Sequence, residues 1–389
     1  MKIVFITYHN WRTKRHGGFH ALAEHACRAG HEVVFFSFSR PYYSYIMKDE
    51  RLNGDVMRSL VKGERNKVGD NELVNVTWPT FSLKGRIRRF TPNWLNNWLN
   101  IHSLTPFKRF SEKWLRGTEC FVIESNESVL LYGLLKKYHP NAKITYRPSD
   151  PIVDYKPKAY PKLMFNELDL VKKADMTFLV NEEGANLYRK YIDDFDTSCN
   201  HIILPNGIYI EDFKKKYPRP DRMKEGKVVL YVGVEPIEWE LVIKTADSIN
   251  NVWFYVIMPQ ELEQSVKEEL KFHKNIVFIP GILPNEVASW ITNCDVIMTP
   301  MTTGFHNRRQ SFHISAKNLK PIASKKPIIT YCNKPCLADY GITTTYDYDS
   351  FISEIRKGLT EGTRDYNIDL EFYDWNVIGD LFLKTIASL

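Results

Sequence analysis

The sequence predicts an α/β protein made of two doubly wound domains facing a deep cleft. Three observations carry this reading. The chain opens as strand, helix, strand over residues 2–8, 19–29 and 32–38. The same alternation restarts at residue 227 after a charged stretch with two prolines. The length of 389 residues suits two or three domains of about 150 residues, large enough to hold their cores without disulfide or metal staples.

Residues 2–8 (KIVFITY) form a continuous apolar run, as expected of a parallel strand buried on both faces. A loop rich in His, Arg and Gly follows. Residues 19–29 place Leu22, Ala23, Ala26 and Cys27 on one helical stripe, and Gly30 suits the C-terminal cap. Strand 32–38 completes the first βαβ unit. Further strands are expected at 73–78, 119–124, 143–147, 176–180 and 202–204, and helices at 127–138, 160–174 and 182–191. Residues 208–226 lack an apolar stripe and read as a linker between a domain at 1–207 and a second at 227–370. In the second half, strands are expected at 227–232, 252–258, 275–279, 295–299 and 327–331. Helices are expected at 261–272, 284–293, 313–325, 349–358 and 375–387. In doubly wound sheets, ligands bind beyond the carboxyl ends of the strands. Two such domains place two ligands opposite each other, which suits group transfer better than hydride transfer.

Hydrophobic residues make up 43% of the chain and charged residues 25%, which excludes a disordered polypeptide. No apolar run approaches the ~20 residues of a membrane span. The N-terminus lacks the apolar core and cleavage site of a signal peptide and reads as a first strand. Six scattered cysteines fit a reducing compartment, and the lone C-x-x-x-C of Cys332 and Cys336 makes no zinc site. The first loop reads YHNWRTKRHGGFH, without the G-x-G-x-x-G of dinucleotide binders, and no G-x-x-x-x-G-K-(S/T) occurs.

Net charge is +7, from 53 basic and 46 acidic residues, which favours an anionic partner. No nucleic-acid motif is present. Residues 82–117 hold Lys84, Arg86, Arg88, Arg89, Lys108, Arg109, Lys113 and Arg116 against the single acid Glu112. Trp94, Leu95, Trp98, Leu99 and Ile101 share a helical stripe among them, the pattern of an interfacial helix. Arg86, Arg88, Arg89, Trp94 and Trp98 are therefore expected to touch an anionic membrane surface; the competing reading packs the Trp stripe in a core.

Several segments resemble the GT-B glycosyltransferases, whose two domains are Rossmann-like. These are Leu204-Pro205-Asn206-Gly207-Ile208 with Phe213, the AGHEV of 29–33, Ala174-Asp175, Cys294-Asp295-Val296 leading to Pro300, and Trp375. In order they span nearly the whole chain. The stretch 305–319 (FHNRRQSFHISAKNL) lacks the E-x7-E of retaining members, which points to an inverting enzyme. Tyr146-Arg147-Pro148-Ser149-Asp150 is similar to the "YR.SD" strand end of the xanthan-type glucuronosyltransferases (glycosyltransferase family 70). Ser315-Ala316-Lys317 is similar to their "S-(M/A)-K" element.

The resemblance implies a UDP-sugar donor, glucuronate the expected sugar, and a lipid-diphosphate-linked glycan acceptor. It implies no metal, no cofactor, a cytoplasmic enzyme peripheral to the membrane, and a C-terminal helix at 371–389 crossing back to the first domain. Asp150 becomes the general base; Pro151 holds it extended at a strand end, although Ser-Asp-Pro is also a plain turn signal. Asp154, Glu124, Glu127 and His20 are its rivals. Donor binding falls to Gly233, Val234, Glu235, Met301, Ser315 and Lys317. Gly233 allows close backbone approach. Lys317 stands at a helix start, after Arg308, Arg309 and His313, where a diphosphate is stabilised; a solvated basic face is the alternative. His16, Gly17, Gly18, His20 and Glu127 would border the acceptor. A soluble nucleotide-sugar epimerase and a non-catalytic nucleotide-sugar binder remain as alternatives.

Overall fold

The computed structural model describes residues 1–12, 16–45, 60–83, 86–155, 161–302, 314–332 and 335–389. The chain forms two compact units, Met1–Pro205 with Trp375–Leu389, and Asn206–Asp374. The first contains β1 (Lys2–Thr7), β2 (Glu32–Pro41), β3 (Glu64–Val68), β4 (Asn71–Thr80), β5 (Cys120–Glu124), β6 (Lys143–Arg147), β7 (Met176–Leu179) and β8 (His201–Ile203). They form one sheet in the order β3-β4-β2-β1-β5-β6-β7-β8. All pairings are parallel except β3 with β4. The central strands are mostly apolar between their ends, and β5 is buried along its whole length. Strand order reverses between β1 and β5, so the loops after Thr7 and Glu124 diverge and leave a crevice at their ends.

The second unit contains β9 (Lys227–Val232), β10 (Val252–Ile257), β11 (Ile276–Ile279), β12 (Val296–Pro300), β13 (Ile328–Tyr331) and β14 (Thr343–Thr345). Their order is β11-β10-β9-β12-β13-β14, all parallel. The reversal falls between β9 and β12.

Several elements differ from the sequence expectation. Strand β3 (ERNKV) alternates charge with half-burial at a sheet edge, where charged residues discourage further pairing and erase the apolar signal. The helix Trp239–Ser248 buries Leu241, Val242, Thr245 and Ala246 and supplies the crossover that parallel β9 and β10 require. Residues 208–226, expected as a linker, pack onto the second unit instead. Ile208, Ile210, Phe213 and Met223 are buried in its core, spaced too irregularly along a charged stretch to show as a stripe. The closing helix, expected at 375–387 within a C-terminal segment 371–389, runs from Trp375 to Ser388. It belongs to the first unit, where Phe382 lies 5.8 Å from Phe5 and 5.2 Å from Phe178. Asp380 pairs with His25 at 2.8 Å.

Candidate active site

At the reversal point of the first sheet, strand ends bring together groups distant in sequence. The Thr7 hydroxyl, ending β1, donates to the Glu124 carboxylate that ends β5. Asn126 Nδ2 donates to the same oxygen at 2.9 Å, while its Oδ1 accepts the Ser128 amide at 2.9 Å and caps the 3-10 turn Glu127–Leu131. In register with Glu124 across β5 and β6 stands Arg147, wholly buried. Its guanidinium donates to Ser149 Oγ at 3.0 Å. Burial pushes the Glu124 carboxyl up to about 7, against the Thr7 hydrogen bond and the Arg147 charge, with the Asp150 charge adding to the rise. Burial lowers Arg147 to about 10, opposed by Glu124. A carboxyl poised there can hold or release a proton near neutral pH.

Asp150 is exposed just beyond β6. Its amide donates to Ser125 Oγ at 3.2 Å, tying it to the loop after β5. Tyr8 lies in the same electrostatic neighbourhood. Burial raises its phenol first, and the charges of Glu124 and Asp150 raise it further. Sequence reasoning named Glu124 and Asp150 but missed Thr7, Tyr8 and Asn126. Their only signal was position, at or just after a strand end on either side of the reversal. Asp154 is exposed on the next helical turn, Ile152–Tyr155.

The acceptor-side residues fare unequally. Gly17 and Gly18 open the helix Gly18–Arg28, and His16 stacks on His20 with ring centroids 4.5 Å apart. His20 requires correction. It is 1% exposed, its Nε2–H faces the Asn10 carbonyl at 3.1 Å, and its Nδ1 accepts the Gly17 amide at 3.4 Å. Burial, then the His16 charge, drives its pKa down to about 3. It clamps the first loop as a neutral ring and has no free nitrogen for an acceptor or a proton. Glu127 is paired with Arg88 at 2.7 Å, both side chains mostly shielded. Arg88 therefore turns toward the protein rather than toward a membrane, a second correction. The side chains of Arg86 and Arg89 lie outside the described residues.

The helix Asn93–Asn100 inverts the usual soluble pattern. Asn96 and Asn100 are its buried residues, and Asn96 Nδ2 donates to the carbonyls of Thr91 at 3.0 Å and Arg88 at 3.2 Å. Trp94 and Trp98 are 62% and 47% exposed, and Ile87, Phe90 and Leu104 are exposed beside them in sequence. Trp98 stacks on His102 at 4.0 Å.

In the second unit, the loops after β9 and β12 meet at the reversal. They are fastened by a bridge between Ile237 and Met301 and by the Glu238 amide donating to the Pro300 carbonyl at 2.8 Å. Lys317, in the helix Ala316–Ala323, donates to Glu235 at 2.7 Å and lies 4.6 Å over the Tyr231 ring. The Tyr231 hydroxyl donates to the Glu235 carbonyl at 3.0 Å. Burial lowers the Lys317 pKa, opposed by Glu235. Burial would raise Glu235, but the Lys317 charge and hydrogen bond outweigh it and hold the carboxyl below its usual range. A Cβ at Gly233 would stand 2.5 Å from the Tyr231 hydroxyl and 2.6 Å from Lys317 Nζ, so a side chain there would displace both groups. Val234 is exposed, Met301 is buried, and Ser315 Oγ donates to Asn318 Oδ1 at 2.8 Å. A cavity of about 440 Å³ opens beside the cluster, lined in part by Val234, Ile237, Trp239, Met258 and Gln260. Arg308, Arg309 and His313 lie outside the described residues. Tyr231 was missed because it reads as one more apolar residue of β9. Among the described residues, no group of His, Cys, Asp and Glu is arranged to hold a metal ion.

Residues 5–180 match the family model described as "Glucuronosyltransferase GumK, N-terminal domain". No curated protein sequence matches the chain. Among solved structures, the chain is similar to sucrose-phosphate synthase from Thermosynechococcus elongatus, at 12% identity and TM-score 0.61, over 100% of this chain and 94% of that one. It is also similar to an E. coli trehalose-6-phosphate structure bound with UDP-2-fluoro glucose, at 11% identity and TM-score 0.64, over 100% and 99%. A third is a trehalose-6-phosphate synthase studied for glycosyl transfer with retention, at 11% identity and TM-score 0.60, over 100% and 99%. At these identities the likeness carries the GT-B fold and not the stereochemistry.

The raised Glu124 carboxyl has a consequence for stability. Its folded state binds a proton more tightly than the unfolded chain, so its contribution is present below about pH 4.5 and is lost as pH rises through about 7. Glu124→Gln should therefore gain melting temperature relative to wild type between about pH 5 and pH 8. A difference independent of pH would mean the carboxyl is not proton-poised.

Proposed function

We propose, from the premise that this chain is a glycosyltransferase of GT-B type with a GumK-like first unit, that it transfers a sugar with inversion from a UDP donor. Glucuronate is the expected sugar, and a lipid-diphosphate-linked glycan at an anionic membrane is the expected acceptor. The observation that carries the reading is the Lys317–Glu235–Tyr231 cluster closed over Gly233 at a strand-end crevice.

The assignment of roles follows from chemistry. Asp150 takes the proton of an acceptor hydroxyl. The freed oxygen attacks the anomeric carbon on the face opposite the nucleotide. The bond from that carbon to the diphosphate breaks as the glycosidic bond forms, and UDP leaves with its charge on the phosphates. Lys317 is the cation placed to receive that charge. Glu235 now occupies its ammonium, so a diphosphate must compete with this carboxylate. Glycine at 233 leaves the backbone approachable. The absence of glutamate from 305–319 supports inversion.

The membrane reading is supported by the inverted helix Asn93–Asn100. Two tryptophans facing outward over buried asparagines suit a surface whose other side is lipid headgroups. Lys108, Arg109, Lys113 and Arg116 are exposed a little further along and can meet anionic lipid. Among the described residues, no helix is long and apolar enough to cross a membrane.

Asp150→Asn keeps the shape but removes the base, and general-base loss costs about 10²–10⁴-fold in rate. The expected result is a fall of that size in kcat with UDP affinity unchanged, and a product of inverted anomeric configuration. Lys317→Ala should weaken UDP binding by calorimetry as well as turnover. Near wild-type kcat in folded Asp150→Asn would reduce that residue to a turn.

The protein should pellet with vesicles containing phosphatidylserine and be released by about 1 M salt, where screening falls to about 3 Å. Trp94→Ala with Trp98→Ala should weaken pelleting without lowering the melting temperature. Equal pelleting of the two proteins would assign the tryptophans another role.

A further inference from the structure

Glu167, in the helix Pro161–Lys173, is fully buried and plays no part in the reaction above. Its Oε1 accepts the Ile152 amide at 2.9 Å and the Tyr188 hydroxyl at 2.9 Å, and the Tyr146 hydroxyl more closely still. Its Oε2 accepts the Val153 amide at 2.8 Å. Four donors on one buried carboxyl make a satisfied network, and satisfied buried networks are stiff. The two amides open the turn Ile152–Tyr155 directly after Asp150-Pro151. The first amides of a helical turn have no partner within it. A side chain from a different helix supplies that partner here.

The consequence falls on Asp150. Pro151 confines it to extended backbone. On one side its amide is held by Ser125, in the loop after β5. On the other, the chain two residues on is held by Glu167, itself braced by the tyrosines of β6 and of the helix Glu182–Arg189. Asp150 is exposed and lies in a short loop between these two anchors.

We propose that Glu167 is a positioning residue: by gripping the Ile152 and Val153 amides it sets the direction in which Asp150 presents its carboxylate. This rests on the reading of Asp150 as the base.

Glu167→Gln keeps the volume but replaces one accepting oxygen with an amide that donates. In the full chain, hydrogen–deuterium exchange should rise at residues 150–155 while the rest of the first sheet stays protected. UDP affinity should be unchanged. Turnover, read as UDP release from UDP-glucuronate over a lipid-diphosphate oligosaccharide fraction, should fall about 10-fold, since small misplacements at a reacting centre reach 10²-fold. Asp150→Asn with Glu167→Gln should be no slower than Asp150→Asn alone, because residues acting through one another are not additive. If Glu167→Gln does not fold, Tyr188→Phe removes one brace and must show the same non-additivity with a smaller loss. Losses that multiply in the double variant, or full turnover despite faster exchange, overturn the proposal. Full turnover in Asp150→Asn overturns the base itself; loss there with full turnover in Glu167→Gln overturns only the positioning.

Discussion

Strands buried on both faces leave no room for polar chemistry along their length. In parallel sheets covered on both sides, a charged side chain in mid-strand would lose its water without gaining a partner. Charged groups are therefore driven to the last residue of a strand or just past it. Thr7, Glu124 and Arg147 end β1, β5 and β6, and Gly233 follows β9. The reversal of strand order then decides which ends face an open crevice. Both candidate sites follow from this one restriction.

The two crevices handle charge differently. In the first, Glu124 and Arg147 are both buried, and each is pushed toward its neutral form while the other's charge resists. Burial is the larger influence, which leaves Glu124 able to change protonation near neutrality. In the second, Lys317 and Glu235 touch at 2.7 Å and keep partial access to solvent. There attraction prevails at the carboxylate, which is held below its usual range beside the lysine. One crevice is suited to moving a proton, the other to holding an anion.

The helix Asn93–Asn100 departs from the rule that apolar side chains turn inward. Its Asn96 donates to the carbonyls of Thr91 and Arg88 from within, and its tryptophans are left outside. Two exposed indoles in one helix are the observation on which the proposed membrane contact rests.

Fold class, strand order of the first βαβ unit and the restart at residue 227 were legible in sequence because apolar periodicity reports burial directly. The segments 146–150 and 315–317, singled out by resemblance, lie beside the two strand-end crevices. What sequence could not decide was pairing. Strand β3 hid behind its charges, and the stretch 208–226 buried Ile208, Ile210, Phe213 and Met223 without a period. His20 looked like a ligand and is a buried clamp; Arg88 looked like a membrane contact and holds Glu127. Glu167, inside the helix expected at 160–174, grips the turn after Asp150. Each of these turns on which groups lie within about 3 Å. Regular apolar spacing reports burial where it exists; only the assembled sheets and their crossovers determine what each buried polar group meets.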